Sequence, residues 1–85
     1  MKEFEYTLTD PEGIHARPAG LLVKEAKKYE SKISIFKGAK KGDLKKIFTV
    51  MGLGVKHGET IKIQVEGPDE DAAAKAVEAF LKANM

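Results

Sequence analysis

Three runs of this chain alternate apolar and polar residues with a period of two, and that pattern decides most of what the chain can become. Phe4, Tyr6 and Leu8 are separated by Glu5 and Thr7; Ile33 and Ile35 flank Ser34; Ile61, Ile63 and Val65 are separated by Lys62 and Gln64. Alternation of this kind puts apolar side chains on one face of a strand and polar ones on the other. A sheet of such strands is buried on one side only, as antiparallel sheets commonly are. The layer that covers the buried side must come from the rest of the chain.

Between the strands the spacing becomes helical. Ala19, Leu22, Val23 and Ala26 recur at three- and four-residue intervals, which predicts a helix from about His15 or Ala16 to about Tyr29. Pro18 falls in its first turn, where a missing N–H breaks no intrahelical bond, and Lys27 and Lys28 fall near its end. Ile47, Val50 and Met51 predict a short second helix that stops at Gly52 and Gly54. Ala73, Ala76, Val77, Phe80 and Leu81 predict a third, with Asp69 as N-cap and Glu70 and Asp71 at the positive end of its dipole. Residues 9–13 and 56–59 read as turns, and residues 38–42 as a hairpin turn entering a short third strand. The order is β-α-β-β-α-β-α. The expected fold is an α+β open-faced β-sandwich: a four-stranded, mostly antiparallel sheet with three helices on one face. The fourth strand is expected between the first and second.

At 85 residues the chain makes one domain, residues 1–85. Hydrophobic and charged contents of 42% and 33% are those of a folded protein rather than a disordered one. There is no cysteine, so disulfides and thiolate metal sites are excluded. The first residues lack a signal-peptide core, and no segment reaches the length of a membrane span, so a cytoplasmic protein without membrane insertion is expected. A net charge of +2 is too small for a nucleic-acid binder, and Phe36 alone makes no stacking platform for bases. The lysines crowd the middle of the chain, between Lys24 and Lys46. They form either a solvated surface or a field that steers an acidic partner.

The chemistry concentrates at Gly13-Ile14-His15-Ala16-Arg17-Pro18, where a turn runs into a helix N-terminus. The free amides of a first turn and the helix dipole together form an anion site, here contributed by Ala16, Arg17 and Pro18. Arg17 adds a permanent charge with forked donors suited to phosphate oxygens. His15 sits at the mouth of that site. The positive field favours its uncharged ring, and a neutral imidazole is a nucleophile. From these residues alone, a capping histidine beside a surface arginine is the competing reading.

The heptapeptide Gly13-Ile14-His15-Ala16-Arg17-Pro18-Ala19 resembles the active-site signature of the HPr family, the histidine-containing phosphocarriers of the bacterial phosphoenolpyruvate-dependent sugar phosphotransferase system. Residues 43–55 are similar to the family's second conserved segment, and residues 67–72 to the start of its last helix, so the resemblance spans the chain. It implies that His15 receives a phosphoryl group on Nδ1 from enzyme I and donates it to the A domain of a sugar-specific enzyme II. Arg17 matches the family's conserved arginine. It also implies a covalent carrier rather than a stand-alone enzyme, with no cofactor and as a monomer. Gly20, Lys24, Lys27, Ile47, Phe48 and Met51 are the expected docking surface. Ile47 and Phe48 cannot both face the core beside Val50 and Met51, and exposed apolar patches mark docking sites.

The chain departs from the family pattern at four places. Lys46 stands where many Gram-positive members carry a regulatory serine, so no control by a serine kinase is expected there. Gly20 and Gly52 replace residues with side chains, and each glycine loosens its helix by roughly 1 kcal/mol against alanine. His57 matches no family position and reads as a solvated turn residue. Two alternatives stay open at the level of sequence: a carrier in the related nitrogen-linked phosphorelay, and a regulatory module of the same fold that no longer relays phosphate.

Overall fold

Alternation produces the sheet that the pattern requires. The computed structural model describes all residues 1–85. The elements are β1 (Lys2–Thr7), α1 (Ala16–Ala26), β2 (Lys32–Lys37), β3 (Lys40–Asp43), α2 (Ile47–Gly52), β4 (Thr60–Glu66) and α3 (Glu70–Asn84). The strands lie in the order β1-β4-β2-β3, and every neighbouring pair is antiparallel. The fourth strand therefore enters between the first two, as expected.

Register follows the apolar rows. Ile63 pairs with Phe4 on one side and with Ile35 on the other. Ile33, Ile35, Ile61, Ile63 and Val65 are fully buried, while Phe4 and Tyr6 at the edge are partly buried against the same core. Each fully buried aliphatic side chain contributes about 1.5–3 kcal/mol. A one-residue slip would turn this whole row outward, so the register is strongly specified. On the opposite face Gln64 Nε2 donates to Glu3 at 2.7 Å. There, too, the Phe36 ring lies 5.7 and 5.3 Å from the ammonium groups of Lys41 and Lys62. A lone aromatic flanked by two cations is a cation–π contact.

The helices cover the apolar face. α1 buries Pro18, Ala19, Leu22, Val23 and Ala26. α3 buries Ala73, Val77 and Leu81, one seam at four-residue spacing; Ala76 and Phe80 are only partly covered, so its buried face is narrower than the sequence implied. α1 also ends earlier than the periodicity predicted, at Ala26 rather than near Tyr29. Beyond it the chain tightens: Lys28 N–H donates to the Glu25 carbonyl and Tyr29 N–H to that of Ala26, three residues back.

Just beyond that end the chain meets Asp69. It occupies the N-cap position of α3, but its side chain makes no cap bond to that helix. The carboxylate instead accepts the amides of Glu30 and Ser31, both at 2.9 Å, and the Ser31 hydroxyl. Side-chain capping of α3 by Asp69 is therefore corrected: the same oxygens clamp the α1–β2 connection to the β4–α3 connection. The Ser31 hydroxyl and then the Glu30 amide hold the Asp69 carboxyl below its ordinary range.

Candidate functional site

The turn before α1 is built by its neighbours. Ile14 N–H donates to the Val55 carbonyl at 3.0 Å, and the amides of Thr9 and Asp10 both reach the Met85 carbonyl. Gly13 lies at φ +68°, and a β-carbon there would stand 2.6 Å from Lys56 Cα and closer still to the Val55 carbonyl oxygen. Only glycine allows both the left-handed conformation and this approach. The consequence is a fixed path for the two residues that follow.

His15 is the N-cap of α1, in extended conformation, and its carbonyl accepts the Ala19 amide at 2.9 Å. Its imidazole makes no cap bond and is 36% exposed. The amides of Ala16 and Arg17 have no acceptor within the chain, and Pro18 has no N–H to offer. Arg17 is exposed and joins none of the molecule's ion pairs. An accessible ring thus stands at a helix start with two unspent amides, and an uncommitted guanidinium follows two residues along the chain. Anions are stabilised by such an arrangement.

The ring's surroundings are not uniformly cationic, which corrects the expectation drawn from the helix terminus alone. Asp10 Oδ2 lies 3.6 Å from His15 Nε2, and Glu12 Oε2 lies 3.4 Å from Nδ1. Both carboxylates come from the turn that delivers the histidine. The sequence reading took residues 9–13 as a turn and stopped there; the available signal was two acids within five residues upstream of His15. His57 was likewise expected to be merely solvated. It is exposed, but its Nδ1 lies 3.2 Å from the Asp10 carbonyl, a contact in which Nδ1–H donates.

The expected docking residues divide into three kinds. Phe48 is 88% exposed and Met51 37%, while Ile47 is half-buried against the core. A methyl placed on Gly20 would lie 3.8 Å from Ile47 Cδ1, so α1 and α2 meet there. Lys24 and Lys27 are exposed on α1. Leu21, half exposed on α1, was missed; it sits one step off the apolar stripe, and an unexplained leucine on a helix's polar face was the signal. Lys46 is exposed at the N-cap of α2. The nearby Thr49 hydroxyl is spent within the fold: it accepts the Asp43 amide at 3.0 Å and faces the carbonyls of Asp43 and Lys46.

No metal-binding group of histidines and acids is present, and no helix is long and apolar enough to cross a membrane. The largest surface recess lies between β1 and α3, lined by Lys2, Phe4, Asp71, Ala74 and Lys75 among others, and none of its residues belongs to the His15 surface. The site is an open surface, suited to contact with another macromolecule rather than to enclosing a small substrate.

Comparison with known proteins gives a consistent picture. Residues 2–83 match the PTS-HPr family model, described as the PTS HPr component phosphorylation site. The chain is 40% identical to the phosphocarrier protein HPr of Mycoplasma genitalium over 85 residues, covering 99% of this chain and 97% of that one. It is 46% identical to the HPr of Mycoplasma capricolum over 77 residues, 91% of this chain and 86% of the relative. Among solved structures, a mycoplasma histidine-containing phosphocarrier protein superposes with a TM-score of 0.94 at 41% identity, covering 96% of this chain and 93% of that one. HPr from Thermoanaerobacter tengcongensis also superposes at 0.94, with 40% identity over 98% of this chain and 93% of its own.

Proposed function

We propose, for a chain that belongs to the HPr family of phosphocarriers, that His15 is the residue that carries the phosphoryl group and Nδ1 the atom that bonds it. The chain is a phosphoryl carrier of the phosphotransferase system, relaying phosphate from enzyme I to enzyme II rather than acting as a catalyst in its own right. One observation carries the assignment of the residue. His15 is an accessible imidazole at the start of α1, where the amides of Ala16 and Arg17 have no partner and the Arg17 guanidinium joins no ion pair.

The chemistry follows from those parts. The Nδ1 lone pair attacks phosphorus, the bond between phosphorus and the donor's leaving atom breaks, and its electron pair stays with that atom. The phosphoryl oxygens take hydrogen bonds from Ala16 and Arg17 amides and charge from the Arg17 side chain. Donation runs the same steps backwards. On donation the leaving group is the His15 imidazole itself, so the release step needs no cofactor.

Docking rests on the exposed apolar side chains Leu21 of α1 and Phe48 and Met51 of α2, two helices that meet at Gly20 and Ile47, together with Lys24 and Lys27 of α1. Its partners in this reading are enzyme I and the A domain of a sugar-specific enzyme II, met in the cytoplasm by a monomer. Exposed apolar residues rimmed by charge suit a transient interface. Lys46 removes the hydroxyl that a serine kinase would need, and the Thr49 hydroxyl is engaged.

The test is phosphorylation by phosphoenolpyruvate and enzyme I. The expected result is acid-labile, alkali-stable label on the wild type and none on His15→Ala. Label that persists in His15→Ala overturns the assignment. Arg17→Ala should fold normally and transfer more slowly.

A further inference from the structure

The two carboxylates that face His15 are held in very different ways. Asp10 is fixed at four points. Its Oδ1 accepts the Glu12 amide at 2.8 Å, its carbonyl accepts the Gly13 amide at 3.0 Å, and its own amide donates to Met85 at 2.9 Å. The same carbonyl receives His57 Nδ1–H. Its side chain is 22% exposed, and Oδ2 is left to face Nε2 of His15. Glu12 has none of these ties: its side chain is 72% exposed and its carboxylate meets only Nδ1.

We infer that Asp10 is a positioning residue of the transfer, keeping the ring proton on Nε2 so that Nδ1 is the nucleophile, while Glu12 holds the place of the incoming phosphoryl group and yields it. This rests on the reading of His15 Nδ1 as the acceptor. A neutral imidazole has one N–H and one lone pair, and a carboxylate beside one nitrogen keeps the proton there. The 3.6 Å separation is longer than a hydrogen bond, and catalytic contacts of this kind tighten when the reacting complex forms.

The charges balance. Attack through Nδ1 leaves the Nε2 proton in place, so the phosphorylated ring is an imidazolium whose positive charge faces Asp10. When the P–N bond breaks on donation, the electron pair returns to Nδ1 and the ring is neutral again. A dianionic phosphoryl group on Nδ1 repels Glu12, whose exposed side chain is free to swing into solvent. The charged groups in contact with the ring are thus Asp10 and Glu12 from the turn, with the exposed Arg17 two residues along the chain; His57 acts on it only through the Asp10 backbone.

The decisive variant is Asp10→Asn. Its Oδ1 keeps the Glu12 amide bond, so the turn survives, but an NH2 donor now faces Nε2. The proton should move to Nδ1. The experiment is nitrogen-15 NMR of the histidine-labelled, unphosphorylated protein at alkaline pH, paired with the rate of phosphoryl uptake from enzyme I. In the wild type His15 should carry its proton mostly on Nε2. In Asp10→Asn the tautomer ratio should invert and uptake should slow roughly tenfold or more, since the nucleophilic lone pair is blocked. Glu12→Gln, which removes the carboxylate facing Nδ1, should shift the ratio the other way, further toward Nε2–H. An amide spectrum that matches the wild type establishes that the variant is folded. A second variant, Asp10→Ala, should lose the tautomer preference without inverting it. Tautomer ratios that stay the same in both Asp10 variants overturn the inference. Because that readout needs no phosphate, it stands apart from the acceptor assignment, which fails only if His15→Ala still takes label.

Discussion

Replacing Gly13 by alanine should cost this protein more than any comparable change at an exposed glycine, and the structure says by how much. The left-handed backbone at φ +68° costs an L-residue about 1 kcal/mol. The new methyl would also press on Lys56 Cα at 2.6 Å and on the Val55 carbonyl, which is backbone and cannot rotate away. Overpacking of that kind costs about 2 kcal/mol. Gly54 is the control: it has a similar φ of +62°, but a methyl there meets nothing within 4 Å. Loss of unfolded-chain freedom stabilises both variants by a few tenths to about 1 kcal/mol and cancels in their difference. Gly13→Ala should therefore be about 2 kcal/mol less stable than Gly54→Ala in urea titrations. For a domain of this size that is a gap of roughly 8–16 °C in Tm. Phosphoryl uptake should fall in Gly13→Ala as well, because the Ile14–Val55 bond that sets the path of His15 must shift. Equal stability losses in the two variants would refute the claim that close approach, rather than φ alone, demands glycine at residue 13.

The clamp at Asp69 gives a pH signature. A carboxylate whose folded pKa is lowered contributes stability that is complete above its ordinary value of 3.8 and is lost as pH falls through the lowered folded value. Wild-type urea midpoints should drop across that acidic window, and Asp69→Asn should start lower and show a flatter fall; parallel curves would discount the clamp. Phe48→Ala should leave Tm within about 1–2 °C, because the side chain is 88% exposed, yet weaken binding to enzyme I roughly tenfold by calorimetry. Incubation with an active serine kinase of this system, followed by mass mapping, should find no phosphate on any hydroxyl near Lys46.

The sheet and its helices were legible because their signals are local. Ile61, Ile63 and Val65 announce a one-faced strand, and a buried partner for that face had to follow. The insertion of β4 between β1 and β2 followed from chain connectivity. What the sequence hid lies in where polar side chains turn. Asp69 has the residue type and position of a helix N-cap, yet its carboxylate reaches the amides of Glu30 and Ser31, nearly forty residues away in the chain. No local pattern encodes that choice, and the shortened end of α1 goes with it. At the site, the order of His15 and Arg17 alone left a capping histidine open, and the resemblance of residues 13–19 to the family signature decided between the readings. Asp10 and Glu12 did not, because an acid in a turn is ordinary until the turn folds back on the ring. Leu21 was missed because the helical stripe was read for burial, and this residue is informative for being off it.

Nitrogen-15 and phosphorus-31 NMR of the phosphorylated protein tests the central assignment most directly. A single ³¹P–¹⁵N coupling, to Nδ1 of His15, is the predicted result. Coupling to Nε2 of that ring, or to either nitrogen of His57, would contradict it.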